Sequence, residues 1–166
     1  DIIHTLENIS DDVKILFDRN QIAFETKDIY LMSRVIDATF PDYKQIVPKV
    51  FVTEVIVLKQ DLIDSFKTSH VFSDKFNQVN IKALPSKKSF IISTKNSDIG
   101  EYTNALDASI TGQDVDINFN HRYIADCFQS IDSDSVSISI SGTNKPLVMH
   151  GMSDKSFSYL VMPMNR

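Results

Sequence analysis

Hydrophobic and polar positions along residues 50–166 run through one pattern twice. The first copy opens with a strand from Val50 to Val57, followed by an amphipathic helix from about Leu58 to His70. Leu58, Leu62, Ile63 and Phe66 fall on one face of that helix. Three strands are predicted next: Gln78–Leu84, Ser89–Thr94 and Tyr102–Ile110. The second copy opens with a strand over Asp114–Phe119. Asn120 is a favourable N-cap for a helix reaching about Ile131. Tyr123, Ile124, Cys127, Phe128 and Ile131 form its expected buried face. Along Asp134–Ile140, Val136, Ile138 and Ile140 alternate with Ser135, Ser137 and Ser139, which predicts a half-buried strand. Strands at Pro146–His150 and Phe157–Met162 complete the set. A shift of 62 residues lays Leu62 on Ile124, Asp64 on Asp126 and Phe66 on Phe128. With the matching element order, this predicts a duplicated β-α-β-β-β unit and an α+β fold, antiparallel sheets carrying helices on one face.

The first 48 residues read as a third, incomplete copy. Ile2, Ile3, Leu6 and Ile9 have helical spacing. Strands are predicted at Val13–Asp18, Gln21–Thr26 and Ile29–Ile36, with Arg19-Asn20 as a turn. The strand that should open this copy is missing, and half a unit leaves apolar faces in water at a cost proportional to area. A chain cut inside a domain is therefore expected, and a start at Asp1 rather than Met gives the same expectation. Pro41 and Pro48 frame a linker, and the chain ends on Leu160-Val161-Met162-Pro163-Met164 before Asn165-Arg166. Chain ends are ordinarily polar and frayed. Here Pro163 stops a strand by removing a ladder donor, and flanking methionines are adaptable fillers of apolar grooves. Two readings fit: a docking surface, or a buried strand with an apolar tail.

Composition narrows the function. At 166 residues and 42% hydrophobic, the chain suffices for one large or two small domains. It has no apolar run of about 18 residues, so no membrane span is expected. The single cysteine excludes an internal disulfide and fits a reducing cytoplasm. A net charge of −5 argues against a uniformly basic nucleic-acid binder, though not against a local basic surface.

Candidate chemistry is sparse. His4, His70, His121 and His150 lack metal-ligand spacing, and there is no G-x-S-x-G, G-x-G-x-x-G or P-loop. Cys127 sits on the apolar helix face and reads as a structural thiol. Asp132-Ser133-Asp134 fails the calcium-loop test, because Ser137 and Thr143 occupy the sixth and twelfth positions. No cofactor or metal is expected. Three classes stay open: a non-catalytic clamp, an unrelated protein- or ligand-binding module of duplicated α+β units, and an enzyme whose catalytic residues lie outside this chain.

Phe40-Pro41-Asp42-Tyr43, followed by Ile46-Val47-Pro48, together with the terminal Met162-Pro163-Met164, resembles the bacterial sliding clamps, the β subunits of the replicative DNA polymerase. The resemblance implies a DNA-clamp fold, with residues 1–48 as the second half of the middle domain plus linker and residues 49–166 as the third domain. It implies a non-catalytic processivity subunit of a DNA polymerase (nucleotidyltransferase) complex that closes around duplex DNA as a homodimeric ring. In such clamps polymerase, clamp loader and repair proteins insert a short motif between the second and third domains. By motif, that pocket corresponds here to Pro41, Gln45, Ile46, Tyr123, Pro146, Leu160, Val161, Met162, Pro163 and Met164. The helices line the ring, so Lys59, Lys67, His121 and Arg122 are expected to face DNA on exposed helix surfaces. Val71 and Phe72 match the subunit junction. Two departures bear on motif preference: Gln45 and Asn165 stand where many relatives carry basic residues.

Overall fold

The computed structural model describes Thr5 and residues 12–164; the helix predicted near Ile2–Ile9 lies outside the described residues. The chain divides into two units, Asp1–Asp42 and Tyr43–Arg166.

The first unit carries a three-stranded antiparallel meander: β1 (Lys14–Phe17), β2 (Gln21–Glu25) and β3 (Tyr30–Arg34). Its first turn forms because the Asp18 carboxylate accepts hydrogen bonds from the backbone N–H of Asn20 and Gln21 at 2.7 and 2.8 Å.

In the second unit the chain runs through β4 (Thr53–Leu58), α1 (Lys59–Val71), β5 (Gln78–Leu84), β6 (Ser89–Asn96), β7 (Gly100–Leu106) and β8 (Ala108–Gly112). It repeats with β9 (Val115–Asn120), α2 (His121–Ala125), a 3-10 continuation over Asp126–Ser130, β10 (Ser135–Ile140), β11 (Leu147–Gly151) and β12 (Tyr159–Val161). The 62-residue shift carries β4 onto β9, end for end. The two copies do not fold side by side. The five-stranded sheet has the order β12-β11-β10-β4-β8 and the four-stranded sheet the order β7-β6-β5-β9. Each copy thus gives its opening strand to the other copy's sheet: β4 pairs with β10 and β9 with β5, both antiparallel. One continuous core joins the sheets and helices, with Phe66, Phe90, Phe119, Leu62, Ile81, Ile124, Ile138 and Met149 fully buried.

Four expectations need correction. The strand predicted over Tyr102–Ile110 is two strands, because the chain turns from one sheet to the other at Asp107. Leu106, Ala108 and Ile110 keep the inward alternation across the turn, so periodicity could not reveal it. β10 is buried on both faces: Ser137 and Ser139 are covered. They sit mid-sheet opposite Ile56, His150, Glu54 and Val148, whose larger side chains shade a small hydroxymethyl group. Leu58 ends β4, exposed, rather than joining the apolar face of α1, where Ser65 and Ser69 take part in the buried face with Leu62 and Phe66. Small side chains let the helix lie close to β6, where the Thr94 hydroxyl donates to the Ser69 carbonyl at 3.1 Å. The second helix tightens to 3-10 geometry after Ala125 and leaves Tyr123 exposed.

Candidate functional site

Residues Leu160–Met164 are tied down rather than frayed. β12 pairs with β11 through Leu147↔Val161, Val148↔Leu160 and Met149↔Tyr159. Beyond Pro163 the backbone crosses to the other sheet, where the Met164 N–H donates to the Asn118 carbonyl of β9 at 2.8 Å. This fixes what each tail residue offers. Val161 points into the core and is 3% exposed, so it supports the surface without forming it. Met162 is 55% exposed, whereas Leu160, Pro163 and Met164 are half-buried. Pro146, also half-buried, leads into β11.

Tyr123 lies on α2, close enough to Tyr159 of β12 to act on its hydroxyl. Asn120 caps α2 as anticipated, its side-chain oxygen accepting from the Arg122 N–H at 3.0 Å. The cap sets the first turn so that Tyr123 projects into solvent. Tyr159 stacks on Phe157 with centroids 6.2 Å apart. Its hydroxyl is held above the ordinary tyrosine range by burial first, then by Asp126, Cys127 and Tyr123. Met162 and Tyr123 are thus exposed, and Leu160, Pro163 and Met164 half-buried, on elements whose backbone is held in place. Gln45 and Ile46 lie at a 3-10 turn, Tyr43–Gln45, where both are exposed. Pro41 belongs to the first unit.

The four residues expected to face DNA divide into two pairs. Lys67 and Arg122 are exposed on the helices. Lys67 makes only a long ion pair with Asp64, 3.8 Å, both ends solvated, which contributes little. Lys59 and His121 do something the sequence did not suggest. The Lys59 ammonium donates to the Ile131 carbonyl at 2.6 Å, past the end of the second helix. His121, which the 62-residue shift places on Lys59, uses Nε2 to reach the Phe66 carbonyl of α1 at 2.7 Å. The first residue of each helix therefore clasps the far part of the other. His121 is buried, not an exposed cation. It stacks on His70 at 4.9 Å and lies tilted against Phe66 at 5.2 Å.

Because a carbonyl only accepts, the proton sits on Nε2, and the buried Nδ1 has no partner among the described residues. Burial is the main cause that lowers the pKa of His121, with the neighbouring His70 and Arg122 charges adding to it. In the unfolded chain the imidazole titrates near its ordinary 6.5. Unfolding thus takes up a proton below that pH, so stability is held above about pH 6.5 and declines as the pH falls below it. Urea melts at pH 7.5 and 5.5 are expected to show this decline, and His121→Gln to flatten it. An unchanged slope in the variant would rule out His121 as the source.

Val71 is 61% exposed, while Phe72 is half-buried with its ring nearly parallel to Tyr102, 10° and 6.1 Å apart. Cys127 is buried, its thiol pushed up to about 12 chiefly by burial, and its Sγ lies 3.7 Å from the Met149 sulfur. It is protonated at neutral pH and unsuited to nucleophilic attack. Among the described residues no group of three or more His, Cys, Asp or Glu could hold a metal ion. No helix among them is long and apolar enough to cross a membrane.

Comparison with known proteins bears on the fold and the family. A family model described as DNA polymerase III beta subunit, C-terminal domain, matches residues 44–165. The beta sliding clamp of Synechococcus elongatus is 28% identical over 152 residues, covering 91% of this chain and 40% of that protein. The chain thus spans about two fifths of that relative. Among solved structures, the DNA polymerase III beta subunit of Thermotoga maritima superposes with a TM-score of 0.83 at 26% identity, over 97% of this chain and 44% of that one. The Pseudomonas aeruginosa sliding clamp, crystallised with a ligand, gives 0.87 at 22% identity over 98% and 44%, a likeness of fold.

Proposed function

Since the chain belongs to the family of DNA polymerase III beta subunits, we propose that it is the C-terminal part of a processivity clamp that encircles duplex DNA and tethers the polymerase. The observation that carries this reading is the anchored Leu160–Met164 tail on a duplicated, strand-exchanged α+β unit of that family. Residues 1–48 then supply the second half of the middle domain plus the linker, and residues 49–166 the third domain. Tethering raises the effective concentration of a polymerase at its primer without catalysis, so the reading needs no catalytic residue in this chain. Its location would be the cytoplasm, in keeping with the one buried, unpaired thiol.

Lys67 and Arg122 are the cations this reading places toward DNA, alongside neutral Gln60, Thr68 and Gln129. Such a sparse wall suits sliding, which needs weak phosphate contacts and no base readout. The chain alone, without ring closure, is expected to bind duplex DNA weakly and to lose binding steeply with added salt in an anisotropy titration. Salt-insensitive, sub-micromolar binding would contradict the reading.

The motif pocket would use Met162 as its adaptable contact, with Leu160, Pro163, Met164 and Tyr123 around it and Gln45 and Ile46 on the linker. Titrating a fluorescent polymerase-tail peptide into the intact parent tests this. Met162→Ala is expected to weaken binding by about 1–2 kcal/mol, the loss typical of a central apolar contact, with an unchanged melting temperature. Equal affinity in a folded variant would reduce the tail to a structural element. Ring closure would use exposed Val71 near the end of α1, with Phe72 mainly supporting it from its place on Tyr102.

A further inference from the structure

We propose that duplex DNA lies along one flank of α1 only, the flank turned toward α2, and that His70 is a contact there beside Lys67 and Arg122. This deepens the clamp reading and rests on it. The two flanks of α1 differ in charge. The groove between α1 and α2 is bordered by Lys59, Lys67, His70 and Gln129, and no carboxylate lines it. On the other flank, toward β7 and the turn at Asp107, a second hollow is lined by Asp61, Asp64 and Asp107 and by no cation. A phosphate backbone is favoured over the first flank and repelled by the second, so a chain of net charge −5 still offers DNA a directed surface. Lys67 stands between the two, its 3.8 Å pair with Asp64 reaching across the helix.

His70 is the imidazole that this groove presents to solvent. His121 is buried and spends Nε2 on the Phe66 carbonyl, so it cannot reach a phosphate. The His70 ring is exposed, and its nitrogens make no hydrogen bond among the described residues. It rests on the His121 ring, centroids 4.9 Å apart and planes 29° apart. That platform is fixed twice, by the His121 ring on Phe66 and by its backbone N–H, which donates to the Asn77 carbonyl at 2.7 Å. A ring braced in this way gives up little side-chain freedom when it binds. His70 follows Lys67 by three residues, so the two are neighbours on the helix surface. The His70 and Arg122 charges both act on His121, which brings α2 into the same contact.

The test is a titration of the whole chain with a short fluorescent duplex of mixed sequence, at about 50 mM salt, where phosphate contacts are still strongly felt. His70→Ala is expected to weaken binding about twofold to threefold, the scale of one solvated polar contact. His70→Lys should tighten it about threefold to fivefold and steepen the dependence of log K on log salt by about one unit. Thr68→Lys puts the same charge on the acidic flank beside Asp64 and should change affinity by less than about 1.5-fold. In the unaltered chain, the His70 ring proton signal should move as duplex is added while that of His150, on β11, stays in place. His70 and Thr68 are exposed, and melting curves confirm that each variant is folded. Unchanged affinity in His70→Ala, an unmoved His70 signal, or an equal gain from Thr68→Lys would each overturn the proposal. Absence of duplex binding by the unaltered chain and His70→Lys alike would overturn the clamp reading itself, and the proposal with it.

Discussion

Phe66→Ala is expected to lower the unfolding free energy by about 3–5 kcal/mol, the usual cost of deleting a fully buried aromatic ring. The ring is 1% exposed and packs edge-on against Phe128 and tilted against His121, while its own carbonyl accepts the His121 clasp. One truncation therefore opens a cavity and loosens the hold between two helices. Since whole domains are stable by only about 5–15 kcal/mol, little margin would remain. Urea denaturation with an unchanged slope and a lower midpoint checks this. A loss under about 1 kcal/mol would mean that neighbours collapse into the space, contrary to a tightly packed core.

Gly112→Ala is expected to cost about 2–4 kcal/mol. Gly112 ends β8 at φ +104°, and a Cβ there would lie 2.1 Å from the Val52 carbonyl oxygen and 2.8 Å from the Thr53 Cα. Backbone cannot yield at this point, because the Gln113 N–H donates to that same Val52 oxygen at 3.0 Å and the Thr53 hydroxyl to the Gln113 carbonyl at 2.6 Å. Gly142 is the control: φ is +131°, but nothing lies within 4 Å of its would-be Cβ. Alanine there should bear only the conformational penalty, about 1–2 kcal/mol. Thermal melts of both variants separate clash from backbone strain. Equal losses would show that the approach to Val52 relaxes freely.

Local pattern made much of this molecule legible. β5 runs from Gln78 to Leu84, as its alternation predicts, and the Asn120 cap and the 62-residue repeat are where the sequence puts them. Failures fall where local pattern carries no information about partners. β4 and β9 alternate identically whichever sheet receives them, so their exchange left no trace in periodicity. A polar residue opening a helix reads as a solvated charge. Only the tertiary approach of the other helix turns Lys59 and His121 into clasps, and His121 was misplaced for that reason. Tyr123 adjoins the apolar arc of Ile124, Cys127 and Phe128, and spacing alone puts it inside, but the buried position in that first turn is taken by His121. In the tail, the sequence marked Leu160–Met164 as unusual, but the division between inward Val161 and outward Met162 needed the register of β12 on β11.

The exchanged opening strands also govern how the unit must come together. A chain in which each half lends its first strand to the other cannot finish the five-stranded sheet until residues near Val161 have been made: β4 waits for β10, and β12 closes the sheet last. β9 can complete the β5–β7 meander earlier, but only after its own sequence follows β8. Closure of the β4–β10 pair spans a loop of nearly eighty residues, a closure cost that grows as about 1.5RT ln n, and such distant pairing slows folding. Cutting the connection between Gln113 and Asp114 would give two pieces, each holding a strand that the other needs. Separately they would be left with open sheet edges, and mixed they would complete one another, so the duplication works as a single cooperative body rather than as two modules in series.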